Sequence, residues 1–587
     1  MLEIKDSPFI QNLMSDSKIY YNWASSIVDT GSWLGDDAFF MAPIYPYTLA
    51  VIFALVGKSI LIIQLLQAII SSLTILLTYF IGKNFHSRAV GYVASIISSA
   101  YLLYIFYAGM VLSETFQTFI VASLLFFLSR DQKKISNAQW FVIGLLLGVT
   151  ALFRANVLFF LLVLTIWLII KYFRKKVNIV ISIRQFLLLL IGAFIVISPV
   201  AFRNYMVSKE LVLLTTNGGI NFYIGNNLSS PGVFVTPTDF DFAKDLAGKQ
   251  FAEKQSGKKL SSSEASSFWY NQAFQEMSKN PGRTLILYFK KLFLFFGGSE
   301  NPQSTIMDPS YFSENYPNLL QAPLFGFTFI SFLFVFGVYF SIKNAVRRPL
   351  LLIFLFSFIM STILFFVNGR FRLAIAPLMI VYASYGIVEI FTKLQEVKFK
   401  EFLVPSVILI VFIAFYYFII DRPTFTSYDA YQHLGDVDYE KGEFEKAIEN
   451  YNRSLFYRDD YITYMNLGNA YARKEDYKSA IAAYNRALSR KPNDLLTHFN
   501  LASALTQMGK MDEGLKEFKK VLEYDPNYAN AYRNIGIIYY VSEQYENALA
   551  YFNKFLTLST DAEINDYVRQ DIENINRKLQ YNTKKAK

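Results

Sequence analysis

Long apolar runs separated by short polar stretches fill the first 420 residues, and the pattern then changes character. Runs near 60–81, 89–108, 112–128, 323–342, 350–367, 373–392 and 402–420 approach the roughly 20 residues a helix needs to cross a bilayer. A shorter run, 186–202, is interrupted at Pro199, and the run 140–170 is broken at Arg154, so it predicts two short spans. The pattern thus predicts ten spans, 60–202 carrying the first six and 323–420 the last four.

Lys and Arg give the orientation, because short cytoplasmic loops carry their excess. Lys83 and Arg88, Arg130 with Lys133 and Lys134, the group from Lys171 to Arg184, Lys343 with Arg347 and Arg348, and Lys393 with Lys398 and Lys400 fall on alternate loops. These loops are read as cytoplasmic. The opposite loops hold few cations, chiefly Arg154, Arg370 and Arg372. The alternation puts 1–59, 203–322 and everything after Asp421 outside, provided that 282–298 does not span. Lys290 and Lys291 at its centre would be costly in a spanning helix, so this stretch is expected to lie as an amphipathic helix in the outer interface. An outer N-terminal loop with no preceding span leads to the expectation of a span upstream of Met1. The alternative is export of the loop by the first downstream span.

Within the outer loop 203–322, residues 211–224 predict two short strands around Asn217-Gly218, a strong hairpin dipeptide. The Lys/Ser-rich stretch Lys244 to Ser263 is expected to be mobile, and 264–279 to be a helix stopped by Asn280-Pro281-Gly282.

Beyond a linker at 421–427 the chain turns polar and repeats. Gly435, Gly468, Ala502 and Gly536 recur at 33, 34 and 34 residues, as do Ala447, Ala480, Gly514 and Ala548, each of the latter followed four residues on by Tyr451, Tyr484, Phe518 or Phe552. Small residues where paired helices cross, with rings filling the groove to the next pair, are the tetratricopeptide pattern. Four repeats are expected over 428–561, then a capping helix and basic tail over 562–587, with Ile564, Val568, Ile572, Ile575 and Leu579 on one stripe.

Composition narrows the chemistry. Hydrophobic residues make up 53% of the chain, with 57 Phe and 40 Tyr, which makes it a membrane protein first. The net charge of +10 has no basic block beyond the C-terminal tail, so it reads as topology and no nucleic-acid partner is expected. With no cysteine and with His86, His433 and His498 dispersed, thiolate sites are excluded and no metal site is expected. The span centres hold almost no ionisable groups, which argues against a proton-coupled transporter.

The polar outliers gather in the outer segments. In the first of them, 1–59, Asp16, Tyr20 and Ala24 share one helical face, Gly31 ends it, and Ala42-Pro43-Ile44-Tyr45-Pro46-Tyr47 opens an apolar ramp. With Leu112-Ser113-Glu114, Asn217-Gly218-Gly219, Gly225-Asn226-Asn227 and Arg370-Phe371-Arg372, this order resembles the protein O-mannosyltransferase-like membrane glycosyltransferases of the GT-C class. The resemblance covers about residues 8–390. Joined to the repeats, it is similar to the transmembrane and tetratricopeptide-containing O-mannosyltransferases.

The resemblance implies an all-α integral-membrane multi-span bundle with a mixed outer loop, followed by an α-solenoid. It also implies transfer of a sugar from a polyprenyl phosphate, the lipid-linked sugar serving as co-substrate without a further cofactor. Asp16 is then the base for the acceptor, and Glu114 its partner or an acceptor-orienting group. Arg370 and Arg372, and more weakly Arg154 and Arg203, are candidates for the lipid phosphate; Tyr20, Asn226 and Asn227 for the sugar or acceptor. The adjacent acids Asp36-Asp37 are read as a turn in preference to a rival base or metal site. The mannosyltransferases proper carry an Asp-Glu pair at the base position, whereas Asp16 is followed by Ser17, so the resemblance does not extend to mannose as donor. The repeats imply a protein or peptide partner, and the charge pattern places them outside the cytoplasm; with no obvious retention signal, the expected setting is the periplasmic or extracellular side of a bacterial inner membrane. A non-catalytic membrane scaffold, and a glycan polymerase or ligase, are the competing readings.

Overall fold

The computed structural model describes residues 13, 15–131, 135–174, 179–235, 245–297, 326–344, 348–418 and 428–585. It divides into two compact units, residues 1–425 and 426–587, so the 421–427 linker lies outside the described residues.

The first unit is built from helices α1 Ser15–Thr30, α2 Ile44–Val56, α3 Ile60–Phe85, α4 Arg88–Ser99, α5 Leu102–Gly109, α6 Glu114–Leu128, α7 Asn137–Phe153, α8 Ala155–Phe173 and α9 Ile179–Ser208. After α9 come four helices of the outer loop, α10 Gly218–Asn226, α11 Lys249–Ser256, α12 Ser262–Lys279 and α13 Pro281–Phe296. The unit closes with α14 Phe327–Lys343, α15 Pro349–Leu364, α16 Gly369–Gln395 and α17 Leu403–Phe418. Among the described residues each of the ten expected spans falls mainly on helix. Among the described residues α3, α8, α9 and α16 are long and apolar enough to cross a membrane, and α4 with α5 adds a fifth if that pair, bent by 49°, is one span. Helices α6, α7, α14 and α15 are apolar but shorter.

Helix α3 shows why this unit suits lipid. Leu61, Leu65, Ile69, Leu73 and Leu76 are exposed along one face, while Gln64, Gln67, Thr74 and Thr78 are buried on the other. Water would favour the reverse. In hydrocarbon the outward leucines cost nothing and the inward amides find partners. Small residues bring the helices close. A Cβ on Gly144 of α7 would lie 2.2 Å from the Leu189 carbonyl oxygen of α9, and one on Gly337 of α14 would lie 1.8 Å from that of Tyr382 in α16.

The outer loop departs from the reading as a mixed region. Residues 211–224 form no hairpin: Gly218–Asn226 is helix, and no strand ladder occurs among the described residues, only an isolated bridge between Val233 and Val367. The Asn-Gly-Gly run serves packing here, because a Cβ on Gly219 would sit 1.9 Å from the Ser266 carbonyl oxygen of α12. The preceding strand-like residues are tied instead to the end of α9, where the Asn204 amide donates to the Val212 and Leu214 carbonyls, 3.1 Å each. The Lys/Ser-rich stretch is also ordered in part. Helix α11 buries Ala252 against Leu260 and Ala265.

In the second unit four helix pairs, Tyr428–Glu440 with Phe444–Tyr457, Tyr461–Arg473 with Tyr477–Arg490, Leu495–Gln507 with Met511–Tyr524, and Ala529–Val541 with Tyr545–Leu558, precede a helix at Ala562–Lys585. The periodic small residues stand where the pattern requires them. A Cβ on Gly435, Gly468 or Gly536 would press within 2.5–2.6 Å of the ring of Tyr451, Tyr484 or Phe552.

A candidate transferase site

Asp16 lies in the first turn of α1, where a carboxylate is favoured by the helix dipole. One turn on, Tyr20 is buried and meets Tyr45 of α2 edge-on at 5.3 Å, with Ala24 buried behind it. Burial first, and the nearby Asp16 charge second, hold the Tyr20 phenol well above its ordinary range.

The Asp16 Oδ2 accepts from Arg370 Nη1 at 2.8 Å. Arg370 Nε donates to Glu114 Oε1 at 2.6 Å, and the same oxygen takes Arg154 Nη2 at 3.4 Å. Arg154 Nε reaches Gln117 Oε1 at 3.2 Å, while its guanidinium lies over the Phe371 ring at 3.4 Å. Two acids and two arginines thus form a neutral chain from the start of α1, the start of α6, the α7–α8 joint and the start of α16. The Asn368 side chain fixes the last of these by accepting from the Arg370 amide, 3.0 Å.

All four segments belong to loops read from the charge pattern as outer. At the other end of α6, which its 15 residues place about 22 Å away, Asn84 donates to Ser129 and accepts from Arg348. Those segments belong to the cation-rich loops.

A cavity of about 660 Å³ is lined by Asp16, Tyr20, Arg154 and Arg370 of this group and by residues 211–218, Asn221 of α10, and Ser263, Ser266, Ser267 and Tyr270 of α12. The Asp16 side chain is 15% exposed against 1% for Glu114. Its Oδ1 makes no hydrogen bond among the described residues. The ion pair therefore holds the carboxylate by one oxygen, and Asp16 is one of the residues lining the cavity. Glu114 is buried beneath and orients the arginines.

Four other candidates are placed elsewhere. Arg372 is fully buried, its Nη1 donating to the Phe295 and Gly297 carbonyls at the end of α13. Arg203 stacks on Phe39 and donates to the Leu34 and Asp37 carbonyls, so it pins the first outer loop to α9. The Asn226 amide is buried, donating to the Phe222 and Leu364 carbonyls and accepting from Lys291. Asn227 bonds the Tyr223 carbonyl and Ser229. None of the four lines the cavity. Residues two apart at a helix start point to different sides, which separates Arg372 from Arg370.

Asp37 accepts from the Ala38 amide and the Ser262 hydroxyl, as a turn residue does. Lys291 also departs from its sequence reading. It is buried inward from α13 with its Nζ 2.9 Å from Asn226 Oδ1, and desolvation pushes it down to about 7. Leu285, Ile286 and Phe289 form the exposed apolar face of that helix.

Three residues that sequence reasoning passed over support the site. Gln67, fully buried on α3, donates to the Ala108 and Met110 carbonyls (3.1 and 2.6 Å) and accepts from the Tyr45 hydroxyl (2.9 Å). Gln64 donates to the Gly109 carbonyl, 2.8 Å. Together they hold the segment leading into Glu114 and the ring that backs Tyr20. Asn204 likewise accepts from the Phe39 amide, 3.2 Å, joining the first outer loop to the 211–214 segment. The available signal was an uncharged amide inside an apolar run.

Residues 41–202 match the family model of the dolichyl-phosphate-mannose-protein mannosyltransferases, and tetratricopeptide models match 428–455, 461–494 and 494–561. The first match contains Glu114 and Arg154 and begins after Asp16. Curated relatives include Hsp70-Hsp90 organizing protein 3 of Arabidopsis thaliana and the Hsp70-Hsp90 organizing protein of Triticum aestivum, each 32% identical over 91 residues, or 15% of this chain. The chain spans only 16% of the length of these relatives. Similar solved structures include YrrB, described as a tetratricopeptide protein with an unusual peptide-binding site, at 26% identity over 24% of this chain and 75% of that one, TM-score 0.23. Another is MamA from AMB-1, at 27% identity over 23% and 76%, TM-score 0.21. Over residues 41–202 the first unit is therefore similar to that mannosyltransferase family, a likeness that points to a membrane glycosyltransferase of the GT-C type. The repeats imply protein binding.

Proposed function

We propose that the first unit transfers a sugar from a polyprenyl phosphate to an acceptor hydroxyl at the non-cytoplasmic face of the membrane, with Asp16 as general base. The observation that carries this reading is the half-engaged carboxylate. One Asp16 oxygen is fixed by Arg370, the other makes no hydrogen bond among the described residues, and Asp16 lines a cavity together with Arg154. In the reaction the acceptor oxygen bonds to the anomeric carbon as its proton passes to Asp16. The bond from that carbon to the phosphate oxygen breaks, and the lipid phosphate leaves with the electron pair. Attack opposite the phosphate inverts the anomeric centre.

Charge stabilises the leaving phosphate. Arg154, 17% exposed and lining the cavity, is the cation this reading turns toward it, giving up its long 3.4 Å contact to Glu114 while Gln117 and the Phe371 ring keep it in place. Arg370 holds Asp16, and turning part of its fork to the donor phosphate frees the base. The charge alternation supports a multi-pass membrane protein with residues after Asp421 on the non-cytoplasmic side, which in this reading is the outer side of a bacterial cytoplasmic membrane. There the second unit presents a protein acceptor.

The test incubates membranes bearing the full chain with radiolabelled polyprenyl-phosphate sugars and follows the label. Asp16→Asn keeps the shape and one hydrogen bond to Arg370 but removes the base, so transfer falls by about a hundred- to ten-thousandfold. Undiminished transfer by that variant at equal membrane abundance would falsify the assignment.

A further inference from the structure

The cavity lining has two chemically unlike parts. One part of the lining bears Asp16, Arg154 and Arg370; the part supplied by residues 211–218, α10 and α12 has no charged side chain among the described residues lining the cavity. Residues 211–218 and α10 contain no charged residue, and the few acids beside them or on α12 are engaged elsewhere. Glu210 is turned away to accept from the Ser263 amide, Glu264 to cap its own helix at Ser261, and Glu276 to accept from the Leu228 amide.

The polar groups left on that part are hydroxyls and amides, and several are already used. The Thr215 hydroxyl donates to Asn217 Oδ1 at 2.9 Å, the Ser266 hydroxyl accepts from the Gly219 amide at 3.0 Å, and the Ser267 hydroxyl donates to the Ser263 carbonyl at 2.9 Å. The Asn221 side-chain amide and the Tyr270 hydroxyl have no hydrogen-bond partner among the described residues, and the Asn217 Nδ2 is likewise unused. Tyr270 is set in place by its ring against Phe222, 5.3 Å between centroids, and by Gly218, where a Cβ would come within 2.6 Å of the hydroxyl. A donor–acceptor amide, a second amide nitrogen and an aromatic hydroxyl on a half-buried neutral surface match a polyhydroxyl ring. An ammonium or carboxylate placed there would lose hydration without gaining a counter-charge.

We infer that Asn217, Asn221 and Tyr270 form a subsite for an uncharged sugar ring, in the same cavity as the charged group. The inference rests on the transferase reading above and narrows its substrate to a sugar without an ionised group at the contacted positions. The ring belongs either to the lipid-linked donor or to a glycan acceptor, and the chemistry of recognition is the same.

The test uses the purified full chain in lipid nanodiscs and saturation-transfer NMR with three probes: the methyl glycosides of a neutral hexose, of a hexuronic acid and of an amino sugar. Saturation reaches the neutral glycoside and not the charged two, and Asn221→Ala and Tyr270→Phe each weaken its binding about three- to tenfold, the value of one hydrogen bond. Tyr270→Phe keeps the ring packing, so a loss there is not a loss of fold. Displacement of the glycoside by a polyprenyl-phosphate sugar but not by polyprenyl phosphate alone assigns the subsite to the donor. Displacement by neither assigns it to the acceptor. Displacement by both, equal saturation of the charged glycosides, or unchanged binding in both variants would overturn the subsite. Transfer by Asp16→Asn is measured separately, so the subsite can fail while the transferase reading stands, and the reverse.

Discussion

Replacing Arg370 by Met should strand Glu114. The guanidinium is 6% exposed and bonds a carboxylate that is 1% exposed. With Arg370 gone, Glu114 keeps only the 3.4 Å contact to Arg154. Breaking a buried pair by removing one partner costs about 3–5 kcal/mol, mostly the desolvation of the charge left behind. Asp16, more exposed, adds little because solvent reaches it.

The magnitude can be isolated with a double-mutant cycle. Glu114→Gln in the Arg370→Met background removes the stranded charge, so the double variant should be more stable than Arg370→Met alone and recover about 2 kcal/mol or more of the loss. The assay is the thermal midpoint of the purified full chain, read together with sugar transfer. Stability should return in the double variant and transfer should not, because the base remains unpositioned. Additive destabilisation, or an Arg370→Met protein as stable as its parent, would show that the chain of charges is not the structural unit described.

Gln67→Leu leaves two carbonyls and the Tyr45 hydroxyl without their partner at about 1–3 kcal/mol for each group that stays dry. Steady-state kinetics should show the turnover number lowered more than the donor KM is raised. Lys291 has a folded pKa of about 7, depressed from 10.5 by burial. The unfolded chain therefore binds the extra proton between those values, and stability should rise as pH increases from about 7 to above 10; Lys291→Met should flatten that slope in thermal scans across the range. Gly468→Val drives a side chain into the Tyr484 ring, where even a Cβ would sit 2.5 Å away. Hydrogen exchange over 461–490 in the full chain should report a loss of about 1–3 kcal/mol there, with the first unit's amides unchanged.

Much of this architecture was legible because it depends on periodicity. An apolar run near twenty residues has few alternatives in lipid, and small residues at a spacing of 33–34 with rings four positions on define paired helices wherever they occur. Glu114, Arg154 and Arg370 were legible as charged exceptions at the edges of apolar runs, and Asp16 and Tyr20 as neighbours on one helical face of a first outer segment that resembles the mannosyltransferase family's. That they meet around one cavity could not be read from spacing: Asp16 and Arg370 are 354 positions apart, and only the packing of α1, α6, α7 and α16 brings them together. The same packing assigned Arg372 to the end of α13 and Asn226 to Lys291. It also took Asn217-Gly218-Gly219, strong hairpin residues locally, into a helix. The physical reason is one of range. Hydrophobic period and turn preference act among neighbours and so are written in the chain, whereas the partner of a buried charge or amide is whatever group the folded helices place within about 3 Å, which is settled only when the whole bundle has closed.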